Sequence, residues 1–213
     1  MKRFITYEGV EGCGKSTQIK LLAGRLEGMG ERVLLTREPG GCPIADQMRS
    51  ILLDAANSAM VPAAELLLYA AARAQHMEEV IRPALADGAI VLCDRFTDAT
   101  TAYQGYGRGL DLNLISDLNR LATGGIRPDL TVLLDCPVET GLKRAMARIN
   151  GSAGDREERF ELESLSFHKR VRDGYLTLAA AEPERFLVIG ADREIEVIEE
   201  AIFSALIPGL QEG

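Results

Sequence analysis

The segment Gly9-Val10-Glu11-Gly12-Cys13-Gly14-Lys15-Ser16 fits Gly-x-x-x-x-Gly-Lys-Ser/Thr, and it lies between an apolar run, Phe4-Ile5-Thr6-Tyr7, and a helical pattern beginning at Thr17. That strand-loop-helix setting gives the spacing its meaning. Glycines let successive backbone N–H groups turn toward a phosphate chain, and the helix behind them points its positive end at the same anion. Lys15 is then expected to reach the β- and γ-phosphates and the Ser16 hydroxyl to hold Mg²⁺, with Gly9, Val10, Glu11, Gly12, Cys13, Gly14 and Thr17 completing an ATP-binding loop. A glycine-rich turn of no consequence is the alternative, and it explains neither the full spacing nor the flanking elements.

Further apolar runs at Val33 to Leu35, Ala89 to Cys93, Leu130 to Leu134 and Phe186 to Ile189 have the length of buried strands. Between them lie helical patterns at Thr17 to Glu27, Ile44 to Leu53, Ala63 to Ala86, Leu112 to Ala122, Val138 to Arg148, Glu161 to Ala181 and Glu194 to Leu206, with Pro83 expected to kink or end the third. Alternating β and α elements predict an α/β fold: a parallel sheet with helices on both faces, the three-layer αβα sandwich of P-loop NTPases. With no repeat or dividing linker, residues 1–213 read as one domain. Asn150-Gly151-Ser152-Ala153-Gly154, small and set between arginine-rich segments, reads as a mobile lid spanning about 149–160.

The 213 residues carry 24 basic and 32 acidic side chains, a net charge of −8. A surface of that sign argues against nucleic acid or anionic lipid as partner, while a small anionic ligand requires only a local convergence of arginines. Cys13, Cys42, Cys93 and Cys136 stand apart from one another and from the two histidines, so neither a zinc site nor a disulfide frame is suggested. Met1-Lys2-Arg3 leads straight into a short apolar run, and no stretch approaches the roughly 18 apolar residues of a membrane span, so a cytoplasmic protein is expected.

The D-x-x-G and N-K-x-D strings of GTP switches do not occur, which favours a small-molecule kinase. Asp94 closes the run Ile90 to Cys93 and would sit at the carboxyl edge of a central strand, where a carboxylate orders the water around Mg²⁺. Asp135, closing Leu130 to Leu134, is its rival. Arg95 beside Asp94 tips the choice, by adding a phosphate-side cation to a metal-side anion.

Gly9 to Thr17, Thr36-Arg37-Glu38-Pro39-Gly40-Gly41, Tyr69-Ala70-Ala71-Ala72-Arg73, Asp94-Arg95 and Ala102-Tyr103-Gln104-Gly105 resemble, in order and spacing, the bacterial thymidylate kinases. The resemblance implies a five-stranded parallel sheet, transfer of the γ-phosphoryl of Mg·ATP to dTMP, and a homodimer packed through helices, for which Leu66, Leu67 and Leu68 offer apolar surface. Tyr69 and Arg73, four apart on one helix, would share a face, able to stack a pyrimidine and donate to its carbonyl. Such a pair on an alanine-rich helix is more often core plus solvated edge, and it is the resemblance that reverses this. Similarity to the family further puts Thr100 and Gln104 at the thymine edge, Tyr103 beside the deoxyribose, and Glu38 and Pro39 in the dTMP site. Arg49, Arg95 and Arg37 are the arginines expected at the acceptor phosphate, as planar forks suited to a dianion. Glu11 reads either as a group positioning that phosphate through water or the metal or as a structural ion pair, and Glu38 either as a group holding an arginine or the sugar or as a structural ion pair.

Arg144 and Arg148 share a helix face, and Arg156 and Arg159 follow the glycines. Because Gly12 and Cys13 leave the loop without an arginine, the resemblance implies that Arg159, in Glu158-Arg159-Phe160-Glu161, is the catalytic lid cation, with Arg148 toward ATP. Two other readings stay open: another P-loop nucleoside or nucleoside-monophosphate kinase, and an ATP-binding regulatory module that transfers nothing.

Overall fold

A computed structural model of the chain describes residues 2–150 and 159–210. Its centre is a sheet of five parallel strands, β1 (Phe4–Glu8), β2 (Val33–Arg37), β3 (Ile90–Asp94), β4 (Leu130–Asp135) and β5 (Phe186–Gly190), in the order β2-β3-β1-β4-β5. The strands β1, β3 and β4 are buried along nearly their whole length and the edge strands β2 and β5 only partly, as expected where helices cover both faces of a parallel sheet. Register sets Tyr7 beside Asp94, and Asp94 beside Arg37, so the carboxyl ends of three strands meet at one edge.

The helices are α1 (Lys15–Gly28), α2 (Pro43–Leu53), α3 (Pro62–His76), α4 (Arg82–Ala86), α5 (Thr97–Thr100), α6 (Leu112–Thr123), α7 (Val138–Asn150), α8 (Leu165–Ala181) and α9 (Ile195–Leu210). The expected long helix from Ala63 to Ala86 is divided into α3, a wide π-helical turn over Met77–Ile81, and α4. Pro83 explains the division: its ring crowds the carbonyl four residues earlier and it donates no hydrogen bond, so the backbone widens just ahead of it. The helix expected from Glu161 starts instead at Leu165, where Ser164 Oγ accepts from the Phe167 N–H at 3.2 Å.

Residues 97–107 formed no part of the expected helices, yet α5 runs into a π-helical segment, Thr101–Gly107. Tertiary contacts override the weak local propensity of its threonines and glycines. A Cβ at Gly107 would lie 2.7 Å from the Phe167 ring, and one at Gly174 equally close to Tyr106, so the segment and α8 meet nearly backbone to ring. Below it, Asp98 accepts from Thr131 at 3.0 Å and from Arg185 at 2.6 and 2.9 Å, tying α5 to β4 and the start of β5. No described helix is long and apolar enough to cross a membrane. The lid expected at 149–160 lies largely outside the described residues, Arg156 included.

The phosphate-binding loop is itself wedged in place. Gly12 has φ +66°, and a Cβ there would fall 2.0 Å from the Gly141 carbonyl oxygen; a Cβ at Gly141 would fall 2.3 Å from that of Glu11. Loop and α7 therefore touch backbone to backbone. Gly141→Ala should destabilise the protein by about 1–3 kcal/mol in denaturant unfolding, although the same change in an ordinary helix interior stabilises by up to about 1 kcal/mol; an unchanged or raised midpoint would show the contact to be slack.

Candidate active site

Two clefts of about 450 Å³ each open at the carboxyl edge of the sheet. Both are lined by Gly12, Lys15, Ser16 and Arg148, so the phosphate-binding loop and the end of α7 form a wall common to the two. Ligands of doubly wound sheets bind at this edge.

Lys15 is folded onto its own loop, its Nζ donating to the Gly9 and Val10 carbonyls at 3.0 Å each and lying 3.5 Å from Cys13 Sγ. These contacts hold the ammonium beside the loop's N–H groups. Ser16 Oγ donates to Asp94 Oδ2 at 2.9 Å across the carboxyl ends of β1 and β3. Such a hydroxyl and carboxylate are hard oxygen donors that suit Mg²⁺, which takes one or two protein oxygens and completes its shell with phosphate and water; no group of three or more acidic, histidine or cysteine ligands occurs among the described residues. Asp135, the rival carboxylate, is occupied elsewhere: Arg172 grips both its oxygens at 2.6 and 2.8 Å.

The first cleft gathers Glu11, Arg37, Glu38, Pro39, Arg49, Tyr69, Arg73, Asp94, Arg95, Thr100, Tyr103 and Gln104 from five segments that the sequence separates by up to 93 positions (104 minus 11). Arg73 from α3 is buried; Nε donates to Glu38 Oε2 at 2.7 Å, Nη1 to Asn119 Oδ1 at 2.9 Å and Nη2 to the Phe96 carbonyl at 3.0 Å. A guanidinium has five N–H bonds, so two remain for a ligand. The other Glu38 oxygen faces His76 Nδ1 at 3.1 Å. Thr100 is buried, its hydroxyl without a partner, at the cleft wall. Arg49 Nη1 donates to the Pro39 carbonyl at 2.9 Å, and Arg37, half-exposed, lies 3.5 Å from Asp46.

Arg95 carries the one positive φ (+71°) among the described non-glycine residues, a conformation costing about 1–2 kcal/mol. Its neighbours enforce it: the Arg95 N–H donates to the Tyr7 carbonyl at 2.9 Å and the Phe96 N–H to Glu8 Oε1 at 2.7 Å. The turn aims the guanidinium at Glu11 Oε1 (3.2 Å) and the Tyr175 hydroxyl (3.2 Å), above the Tyr103 ring. Glu11 also accepts from Tyr103 and faces His168 Nδ1 at 3.2 Å. Burial pushes the Glu11 carboxyl up, but His168, Arg95 and Tyr103 outweigh it and bring it down to about 2. Glu8 goes the other way. Burial, reinforced by Asp98, drives it to about 8 against the pull of Arg95, Tyr175 and the Phe96 N–H. At neutral pH the charge facing Arg95 is therefore that of Glu11.

Arg159 is not brought to either cleft. Its Nη1 donates to Glu65 Oε2 at 2.7 Å and its Nε to the Leu52 carbonyl, and it is buried. The carboxylate of Glu65 and a free helix-end carbonyl hold the guanidinium there, away from both clefts. Arg148 instead lines both clefts, 4.0 Å from Glu161. Gly9 and Val10 serve from beneath, through carbonyls, while Cys13, Gly14 and Thr17 line the second cleft. Sequence reasoning missed Phe96 and Phe160 in the first cleft, and Gln18, Arg193 and Ile195 in the second. Phe96 follows Asp94-Arg95 directly, and that adjacency was a usable signal; Phe160 carried none.

The family model for thymidylate kinase matches residues 7–202. The chain belongs to the thymidylate kinase family. It is 70% identical over 205 residues to a thymidylate kinase of Geotalea daltonii, covering 96% of each chain, and 67% identical over 210 residues to that of Geotalea uraniireducens, covering 99% of each. The crystal structure of thymidylate kinase from Ehrlichia chaffeensis superposes with a TM-score of 0.76 at 35% identity, over 95% of this chain and 97% of that one. As a member of a nucleoside monophosphate kinase family, the chain is a phosphotransferase, and the five-stranded parallel sheet with helices on both faces agrees with the sequence expectation.

Because Arg73 compensates a buried carboxylate as well as facing the cleft, Arg73→Ala should lower stability by about 3 kcal/mol, near the low end for a broken buried pair since His76 still faces Glu38. Adding Glu38→Gln should recover part of the loss. A single variant that melts like the wild type would mean that Glu38 is not charged against Arg73.

Proposed function

We propose that the chain transfers the γ-phosphoryl group of ATP, with Mg²⁺, to dTMP, giving dTDP and ADP, and that it does so in the cytoplasm. The observation that carries this is the common wall: one loop with its lysine serves two clefts, so a donor in one and an acceptor in the other would present phosphates to the same cation. ATP occupies the second cleft, and dTMP the first.

In the acceptor cleft the base lies against Phe96 and Tyr69 with Arg73 donating to a carbonyl and Thr100 and Gln104 along its edge. Tyr103, fixed by Glu11, stands where the sugar passes and crowds a 2′-hydroxyl. Arg49 and Arg95, with Arg37 at the rim, hold the acceptor phosphate as planar forks. Arg95 is already turned, so its reorganisation on binding is small. Bound Mg²⁺, held by Ser16 and Asp94, would offset charge between the transferring and leaving phosphates. Lys15 leaves the loop carbonyls to meet the same charge, and Arg148, at the border between clefts, closes on it from α7. Dimerisation is part of the proposal: Leu67 on α3 and Leu114 and Leu121 on α6 are exposed, and sedimentation at micromolar concentration decides it.

Turnover of an acceptor panel tests the reaction. ADP release should be fastest with dTMP, slower with dUMP, and slower still with dCMP, AMP, GMP and thymidine. Lys15→Ala should retain the fold and lose about 10²–10³ in kcat. ATP binding without acceptor-dependent ADP release would favour a regulatory module, and another preferred acceptor would favour a different kinase.

The two arginines flanking the undescribed segment separate by effect. Arg148→Ala should lower kcat by about a hundredfold or more with little change in KM for ATP. Arg159→Ala should instead lower the melting temperature, because it leaves Glu65 short of a partner in the interior. Reversal of the two results would restore Arg159 as the cation acting on the phosphoryl group.

A further inference from the structure

Glu65 is fully buried on α3, contacts neither cleft, and receives more charged hydrogen bonds than any cleft residue. Gln104 Nε2 donates to its Oε1 at 2.7 Å, Arg108 donates through Nε and Nη2 at 3.2 and 3.1 Å, and Arg159 Nη1 donates to Oε2 at 2.7 Å. Burial works to neutralise the carboxyl, but these partners outweigh it and hold it below the usual carboxylate range. It stays ionised.

An ionised carboxylate accepts hydrogen bonds and cannot donate them. The Gln104 amide must therefore turn its NH₂ toward Glu65 and its carbonyl oxygen the other way. Flipping it would set two oxygens against each other at hydrogen-bond distance. Gln104 lines the acceptor cleft, and among the described residues its side chain makes no other hydrogen bond. Beside it, the Thr100 hydroxyl is buried and unpartnered, and Arg73 keeps two N–H groups. The cleft thus offers donors from Arg73 and an acceptor from Gln104. That pattern matches a ring with a carbonyl next to a protonated nitrogen, as in thymine or uracil, and opposes cytosine, which presents an amine next to an unprotonated nitrogen.

We propose that Glu65 is a positioning residue that sets acceptor-base specificity, by fixing the polarity of the Gln104 amide so that the site selects pyrimidines bearing N3–H. This rests on the acceptor assignment made above. The same carboxylate anchors Arg159, hence Phe160, whose ring packs 5.4 Å from Tyr103 and 6.4 Å from Tyr69 at the cleft.

The test compares kcat/KM for dTMP, dUMP and dCMP in the wild type, Glu65→Gln, Glu65→Asp and Gln104→Leu. Glu65→Gln presents an amide that both donates and accepts, so Gln104 is free to face either way. The dTMP:dCMP ratio should fall at least about tenfold, while dTMP:dUMP, which reads the methyl group, stays as in the wild type. Glu65→Asp, an ionised acceptor still, should keep most of the dTMP:dCMP ratio and controls for loosened packing. A purely structural role would lower all three acceptors together and leave both ratios unchanged, overturning the proposal. If Gln104→Leu also leaves the ratio intact, the base-edge assignment itself is wrong; if Gln104→Leu lowers it and Glu65→Gln does not, only the role of Glu65 falls. Should Glu65→Gln alone not fold, the decision rests on Glu65→Gln combined with Arg159→Met, which restores the interior charge balance: a dTMP:dCMP ratio lowered at least about tenfold supports the proposal, and a ratio equal to the wild type overturns it.

Discussion

A guanidinium taken out of water without a counter-charge is destabilising by several kcal/mol, and four arginines in and beside the first cleft each have a carboxylate to offset it. Arg73 is held by Glu38, Arg95 by Glu11, Arg108 and Arg159 by Glu65. Each pair joins elements far apart in sequence, so the ion pairs also fix the shape of the cleft. The arginines are thereby rigid before any phosphate arrives, which limits the reorganisation that binding and transfer require. Their remaining N–H bonds, and not their whole charge, are what a ligand meets.

The pairing also explains why two carboxyls three residues apart behave oppositely. Glu8 lies beneath the sheet edge with a hydroxyl and one backbone N–H, and burial dominates; Glu11 lies among Arg95, Tyr103 and His168, and the cations and donors dominate. Glu8 fixes the backbone turn at Arg95, and Glu11 fixes where its side chain ends. Since Glu11 belongs to the phosphate-binding loop and Gly12 rests on Gly141, the same few residues tie the loop, β3, α7 and α8 into one unit.

What was legible in the sequence was what local spacing encodes. The strands follow from apolar runs, and the loop follows from its glycines and lysine. Tyr69 and Arg73 share a face because a helix repeats every 3.6 residues. Long-range compensation was not legible: nothing near Glu65 in sequence announces Gln104, Arg108 or Arg159, which lie 39 to 94 positions away. The helical segment over 97–107 was missed for a related reason, because Asp98 with Arg185 and Gly107 with Phe167 stabilise it from outside. His168 and Tyr175, seven apart on α8, reach the site only because that segment packs against them.

Arg159 shows where a resemblance and a geometry diverge. The loop carries no arginine, and the resemblance implies a catalytic cation from elsewhere, Arg159, through the match of Glu158-Arg159-Phe160-Glu161. In this structure Arg159 instead compensates Glu65 in the interior. With Arg108 alone, Glu65 would have one guanidinium shared with Glu163. Arg159 supplies the second, and in doing so fastens itself to the first turn of α3, while Arg148 lies in the last turn of α7 at the border of both clefts. On the proposed reaction, Arg148, which lines both clefts while Arg159 lines neither, is the one of the two arginines placed to meet a phosphoryl group passing between them.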